Sequence, residues 1–366
     1  MNSKDRMLAA LYRETPDRLP ATVHMWHDYH LRHFMDGMSA EEAFAACGLD
    51  AAITFFPFIE EPASPDWKTE CVPSQNEKGE QVQKCRIDTP EGTLHYEMAS
   101  NEITTWINRH PIQHDEDIYL IEKYQPIPRL LRNELARAYD ALGDAGIMRG
   151  LLPAFNFQSG IWQEAVEWVG TEKLIMAVYE KPDWVHAFLR ILLEKRLAFI
   201  EREMRGAKFD LIETGGGAAS DTVISPDVFR DFALPYDRQM HAALHEAGHR
   251  VVYHTCGGMT NLLNLIPENG CDASETLTPP GMGGNLTDPH RVKASLGAKV
   301  CLIGGMDQNN VLKQGDAMVI QAEVRRLFET YGRHGGYIMA TCDQFFDVPR
   351  ESLRAYADAA RQCMYA

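Results

Sequence analysis

Arg250-Val251-Val252-Tyr253-His254-Thr255-Cys256-Gly257-Gly258 is the stretch on which the fold turns. A β-branched and aromatic run, bounded by Gly248 before it and two glycines after it, fits a short buried strand that ends in a loop. The same pattern recurs on both sides. Lys208 to Glu213 reads as the preceding strand, and Ser225-Pro226-Asp227 then opens a helix with Ser as N-cap and Pro at its first position, running to Gly248. Downstream, a helical stretch from Thr260 to Asn269 closes at Gly270, and Ala273 to Leu277 is the next strand. A short helix from Asp288-Pro289 to Gly297, a strand from Lys299 to Ile303 and a helix from Asp316 to Tyr331 follow. Tyr337 to Thr341 is the last strand, and a helix from Pro349 to Cys363 completes the series. Repeated βα units imply a parallel sheet with crossover helices.

Upstream, Leu19 to Met25, Ala51 to Phe56 and Gly146 to Leu152 supply three more strands. Eight strands in 366 residues fit an α/β protein of the (β/α)8 TIM-barrel type, somewhat longer than usual. An open doubly wound sheet would carry a glycine-rich phosphate turn after its first strand, and none follows Leu19 to Met25; Gly215-Gly216-Gly217 lacks that spacing. The excess length falls in residues 66 to 110, where polar and apolar residues alternate around Glu77-Lys78-Gly79 and Thr89-Pro90-Glu91-Gly92. This is an antiparallel β meander inserted near the barrel mouth. Residues 1 to 366 are expected to form a single barrel domain carrying that insertion.

The net charge of −16 argues against nucleic acid as a partner. No stretch approaches the run of about 18 apolar residues that spans a bilayer, and no signal-peptide core opens the chain. A cytoplasmic location is therefore expected, with its eight cysteines reduced: Cys47 and Cys301 as buried small hydrophobes, and Cys71 and Cys85 of the meander close together without a disulfide.

Barrel chemistry collects at the C-terminal ends of the strands. Those ends carry Glu213, His254 to Gly258, Glu275, Gly304 to Asp307, and Thr341-Cys342-Asp343. His254 and Cys256 alternate onto one side of an extended segment, and Cys342 lies one or two strands away around the ring. One imidazole and two thiolates suit tetrahedral Zn²⁺ with a fourth position open for chemistry. Glu213 and Glu275 compete to complete the zinc sphere or to orient His254, with Glu213 favoured because the small residues Thr214 to Ala218 leave room beside it. Gly257, Gly258 and Asp307 face the same mouth as candidates for binding a cofactor or polar groups. His24, Trp26 and His27, just past the first strand, are expected to line the substrate pocket, whereas His30 and His33 should sit on a solvated helix. Trp26, Tyr29 and the Phe55 to Phe58 run offer either stacking surfaces or packing.

Taken together, Asp17-Arg18-Leu19-Pro20, Ile224 to Phe229, His254-Thr255-Cys256-Gly257-Gly258 and Cys342 followed by Val348 to Leu353 resemble the uroporphyrinogen decarboxylase superfamily. Within it, the HxC…C set is similar to that of the zinc-dependent, corrinoid-linked methyltransferases. The resemblance implies a TIM barrel with His254, Cys256 and Cys342 as zinc ligands and Glu213 as a fourth. It also implies a separate corrinoid protein that docks its cobalamin over the metal. The expected activity is methyl transfer between that corrinoid and a small donor or acceptor: a thiol, a tetrahydrofolate, a methylamine-derived compound or an aryl methyl ether. The alternatives are a metal-free decarboxylase and a non-catalytic zinc-binding protein. The decarboxylase branch clamps a polycarboxylate with arginines near the N-terminus, where this chain has Val23 to His30.

Overall fold

The strands that carry the site form one curled parallel sheet in sequence order: β1 (Ala51–Phe55), β6 (Gly146–Leu151), β7 (Leu211–Gly215), β8 (Val251–His254), β9 (Ala273–Thr276), β10 (Cys301–Met306) and β11 (Tyr337–Thr341). β2 to β5 belong to the meander. This architecture is that of a computed structural model, which describes residues 1–55 and 59–365. The expected eighth strand is reduced to a bridge. Ala21 pairs in parallel with Met339, Thr22 N–H donates to Met339 O at 2.8 Å, and Asp50 N–H donates to Ala21 O at 2.8 Å. The Pro20 to Thr22 segment therefore joins β11 to the start of β1 and closes the ring. Pro20 has no N–H to give a ladder, which keeps the pairing short.

Inside the ring, side chains stack in layers. Ala52, Ile147, Leu211, Val252, Ala273, Cys301 and Ile338 are buried together, and Met7, Ala10 and Leu11 of the Ser3–Leu11 helix pack against them. Strand side chains repeat with period two. Two residues beyond Ile147, Leu211, Val252 and Ala273 stand Arg149, Glu213, His254 and Glu275, so a polar layer lies directly above an apolar one. The helices packed outside bury their own apolar stripes. The segment after Ser225 is helical to Glu246, with a π-helical turn at Phe229–Ala233. Thr260 to Asn269 forms a regular helix only at Ile266–Asn269, as a 3₁₀ turn, because Thr260 N–H and Oγ1 are held by Asn285 instead.

The meander is a four-stranded antiparallel sheet of β2 (Lys68–Gln75), β3 (Gln81–Thr89), β4 (Gly92–Ser100) and β5 (Thr105–Arg109). Ile87 and Leu94 pair across β3 and β4 and reach the main core, while every residue of β2 is exposed. Cys71 and Cys85 are directly opposed and joined by a disulfide, contrary to the expectation of free thiols. Direct opposition in the ladder brings the two Cβ atoms into bonding range. Cys47 and Cys301 are buried and free, as expected. Phe56 to Phe58, weighed as a stacking surface, lie outside the described residues, and Phe55 is buried against Phe209. Among the described residues no helix is long and apolar enough to cross a membrane.

Candidate metal and active site

The polar layer of the barrel is a charge cluster closed off from water. Arg149 is 2% exposed, and its Nη2 donates to Glu213 Oε2 at 2.7 Å and to Glu275 Oε1 and Oε2 at 2.9 and 2.8 Å. A buried carboxylate without a partner would take up a proton. Burial pushes Glu275 upward, but Arg149 and then His24 hold its pKa well below the usual carboxylate range. His24 comes from the loop beyond the closing segment. Its N–H donates to Thr341 Oγ1 at 2.9 Å, and its Nδ1 lies 3.7 Å from Glu275 Oε2. His24, expected to line the substrate pocket, is buried at 6% exposure as a member of this cluster.

His254 ends β8 at 2% exposure, and its Nδ1 lies 3.1 Å from Glu275 Oε1 and 3.6 Å from Glu213 Oε1. The other ring nitrogen, Nε2, is buried with no hydrogen-bond partner among the described residues. Burial disfavours the imidazolium. Even so, the Cys256 sulfur and the two glutamates raise the His254 pKa well above the ordinary imidazole value. Two groups of ligand-type atoms meet at this ring. A His254 nitrogen, Cys256 Sγ and an Asp343 oxygen lie within 4.8 Å of one another, and so do atoms of His24, Glu213, His254 and Glu275. In the second group Arg149 already supplies the positive charge, since it contacts both carboxylates. The first group has an imidazole nitrogen, a thiol and a carboxylate, a donor set that Zn²⁺ accepts once the ring has given up its proton.

Not every expected residue joins these groups. Cys342 is fully buried, and its thiol faces Leu277 O at 4.0 Å, so it belongs to neither set. Consecutive residues at a strand end point in different directions, which here turns Asp343 toward His254 and Cys256. Burial pushes the Cys342 thiol far up. Glu213 and Glu275 both contact the Nδ1 side of His254, the position of orienting groups. Asp307 caps the turn after β10: its Oδ1 accepts from Asn309 and Asn310 N–H, and its Oδ2 from Asn310 Nδ2. Gly257 has φ +118°, and a Cβ there would meet Ser220 Oγ at 2.8 Å; Gly258 O accepts from Asp221 N–H. These glycines let the Cys256 turn pack on the loop after β7. Gly217 in that loop faces the thiol, since a Cβ on it would come within 2.8 Å of Cys256 Sγ.

The aromatic and histidine segment beyond His24 mostly builds structure. Trp26 packs edge-on against Phe44 and Phe345, and His27 Nδ1 accepts from Tyr29 N–H as the cap of the Asp28–Phe34 helix. His30, expected on a solvated face, is fully buried: its Nε2 contacts Val348 O at 2.8 Å and its ring stacks on Phe34. Arg149 was missed by sequence reasoning. The signal was present, because an arginine two residues after Ile147 in an expected barrel strand must face the ring interior or its outer helices, both dry.

Comparison with known proteins places the chain. The sequence profile of the family described as Uroporphyrinogen decarboxylase (URO-D) matches residues 94–363. A uroporphyrinogen decarboxylase of Alcanivorax borkumensis is 28% identical over 209 residues, covering 53% of this chain and 54% of that protein. A methylated-thiol–coenzyme M methyltransferase of Methanosarcina mazei is 23% identical over 232 residues, covering 63% of this chain and 56% of that protein. The chain thus aligns with about half the length of these curated relatives. A solved structure of a methyltransferase from Methanosarcina mazei shares the fold at a TM-score of 0.68 and 18% identity, covering 99% of both chains.

Proposed function

The chain belongs to the uroporphyrinogen decarboxylase family, and on that premise we propose that it is a zinc-dependent methyltransferase. It would exchange a methyl group between a corrinoid protein and a small donor or acceptor: a thiol, a tetrahydrofolate, a methylamine-derived compound or an aryl methyl ether. The observation that carries this reading is the half-satisfied His254, with Nδ1 held by carboxylates, Nε2 buried and unpaired among the described residues, and one ring nitrogen grouped with the Cys256 thiol. Likeness in name and fold to methyltransferases of Methanosarcina mazei adds support.

The residues fit zinc. His254 Nε2 and Cys256 Sγ would be the fixed ligands, and Cys342 would complete them by turning its thiol away from Leu277 O. Asp343 already stands beside the pair and competes for that position. When bound, zinc would lower the pKa of a thiol or polarise an ether or phenolate oxygen. The chain's own groups prepare for this. Glu275 accepts from Nδ1–H, which fixes the tautomer that leaves an Nε2 lone pair. Because His254 favours its protonated form, loading the site must release a proton, and affinity must fall in acid. Arg149 balances the two glutamates, keeping them from drawing the metal to the wrong side of the ring. The closed polar layer excludes water from the reacting face.

Zinc content and free methylcobalamin test the proposal. Wild type should bind one metal and change the cobalt–carbon absorbance in the presence of the right acceptor or donor. Equal zinc in wild type, Cys256→Ser and Cys342→Ser would sink the ligand set. The second reading, a metal-free decarboxylase, rests on the decarboxylase relatives. It predicts carbon dioxide release from a tetrapyrrolic or small acid that chelators leave untouched. Against it, Arg149 is bound to both glutamates and is not open to a polycarboxylate.

A further inference from the structure

A cavity of about 210 Å³ lies apart from the charge cluster, between the meander and the Ile161–Val169 and Pro182–Phe199 helices. None of the residues lining it belongs to the groups around His254. Its walls are aromatic. Tyr96 from β4 meets Phe155 edge-on at 5.2 Å between centroids, Phe155 stacks on Trp168 at 4.1 Å, and Trp67 lies beside them.

Its lining sets the cations Lys195 and Arg196 beside the carboxylates Glu61 and Glu164. Arg196, 4% exposed, donates from Nη2 to Glu164 Oε2, yet its Nε and Nη1 are buried without a partner, as is Trp168 Nε1. Lys195 donates to Gln125 O at 2.8 Å, and Glu61 is exposed. The unpartnered buried atoms of this lining are therefore all donors. Donors left unpaired in a dry place are costly, and native proteins supply them with acceptors. A carboxylate offers only acceptors, and a flat ring suits the aromatic walls.

We propose that this cavity is a second ligand site that takes a small aromatic carboxylate, its acid group on Arg196 and Trp168 and its ring among Tyr96, Phe155 and Trp67. The site is independent of the zinc reading. It uses the meander as one wall, which gives that insertion a task of its own.

Titration of the purified full chain with 2-naphthoate, followed by calorimetry and tryptophan fluorescence, tests this. Saturable one-to-one binding is expected, about ten-fold or more tighter than for 2-naphthalenemethanol, which lacks the acid. Ala154→Phe, which fills the cavity from the barrel side, and Thr69→Trp, which fills it from the exposed meander side, should each abolish binding with melting unchanged. Cys256→Ser should bind as wild type does. No saturable binding at millimolar naphthoate, equal affinity for the alcohol, retained binding in both filled variants, or loss in Cys256→Ser would each overturn the proposal.

Discussion

Two buried histidines separated by one turn of chain behave oppositely. His241, in the helical layer behind β7, has both ring nitrogens engaged: Nε2 with Thr214 Oγ1 at 2.8 Å and Nδ1 with Asn269 O at 2.9 Å. Burial lowers its pKa to about 4, and it stays neutral. His254, on the inner side of the neighbouring strand, has only Nδ1 engaged, and its pKa is raised. Both are dry. Pairing separates them: a fully paired histidine holds helix to sheet, whereas a half-paired one keeps a donor atom for something that arrives. Within the barrel the two glutamates are held by Arg149 Nη2 and by His254, whereas Arg149 Nε has no hydrogen-bond partner among the described residues.

The strongest way to break this contrast is Cys256→Ser. Zinc per chain, measured by mass spectrometry after dialysis, should fall to background, whereas His241→Gln should leave it unchanged. Next in size, Arg149→Met strands two buried carboxylates and should cost about 3–5 kcal/mol in urea unfolding, because breaking a buried pair leaves charge uncompensated. Adding Glu213→Gln and Glu275→Gln should recover much of that loss, and no recovery would mean that Arg149 acts through packing alone. Glu275→Gln by itself removes the ionised acceptor at Nδ1 and should weaken zinc roughly 10–100-fold, the usual penalty for losing a carboxylate behind a metal-binding histidine. An unchanged affinity would transfer that task to Glu213.

The smallest effect belongs to His241. Its folded pKa lies below the unfolded value near 6.5, so its contribution to stability is fully present above that pH and is lost as pH falls toward 4. Between pH 6.5 and 5.5 the loss should be about 1 kcal/mol, and His241→Gln should flatten it in a urea series. A slope that stays the same in the variant would show that another group titrates.

Much of the barrel was legible in the sequence because each strand from Leu211 onward is a short run that follows a glycine, with helix caps at Ser225, Asp288 and Asp316. The first strand was less so: its pattern runs from Leu19 to Met25, but pairing stops at a three-residue bridge, since ladder length depends on what neighbouring strands offer. The site was half legible. HxC at a strand end marks His254 and Cys256, whereas the direction of the Cys342 side chain depends on where Leu277 O lies. His30 and Trp26 look like surface or pocket residues in a polar segment, yet Phe34 of the same helix, Phe44 of the next and the distant Phe345 converge on them. The Cys71–Cys85 disulfide was obscured by reasoning from compartment when the ladder register alone set their approach.

The bridge that closes the ring also fixes an order of events. Pro20 to Thr22 has its partner in Met339, and His24 has its anchor in Thr341, more than three hundred residues later. During synthesis the early segment can meet Asp50 soon after it emerges, but its other side must wait for Met339 until nearly the whole chain has left the ribosome. His24 and the strand-end turn at Cys342 reach their places only at that final closure, so the mouth of the barrel is assembled last.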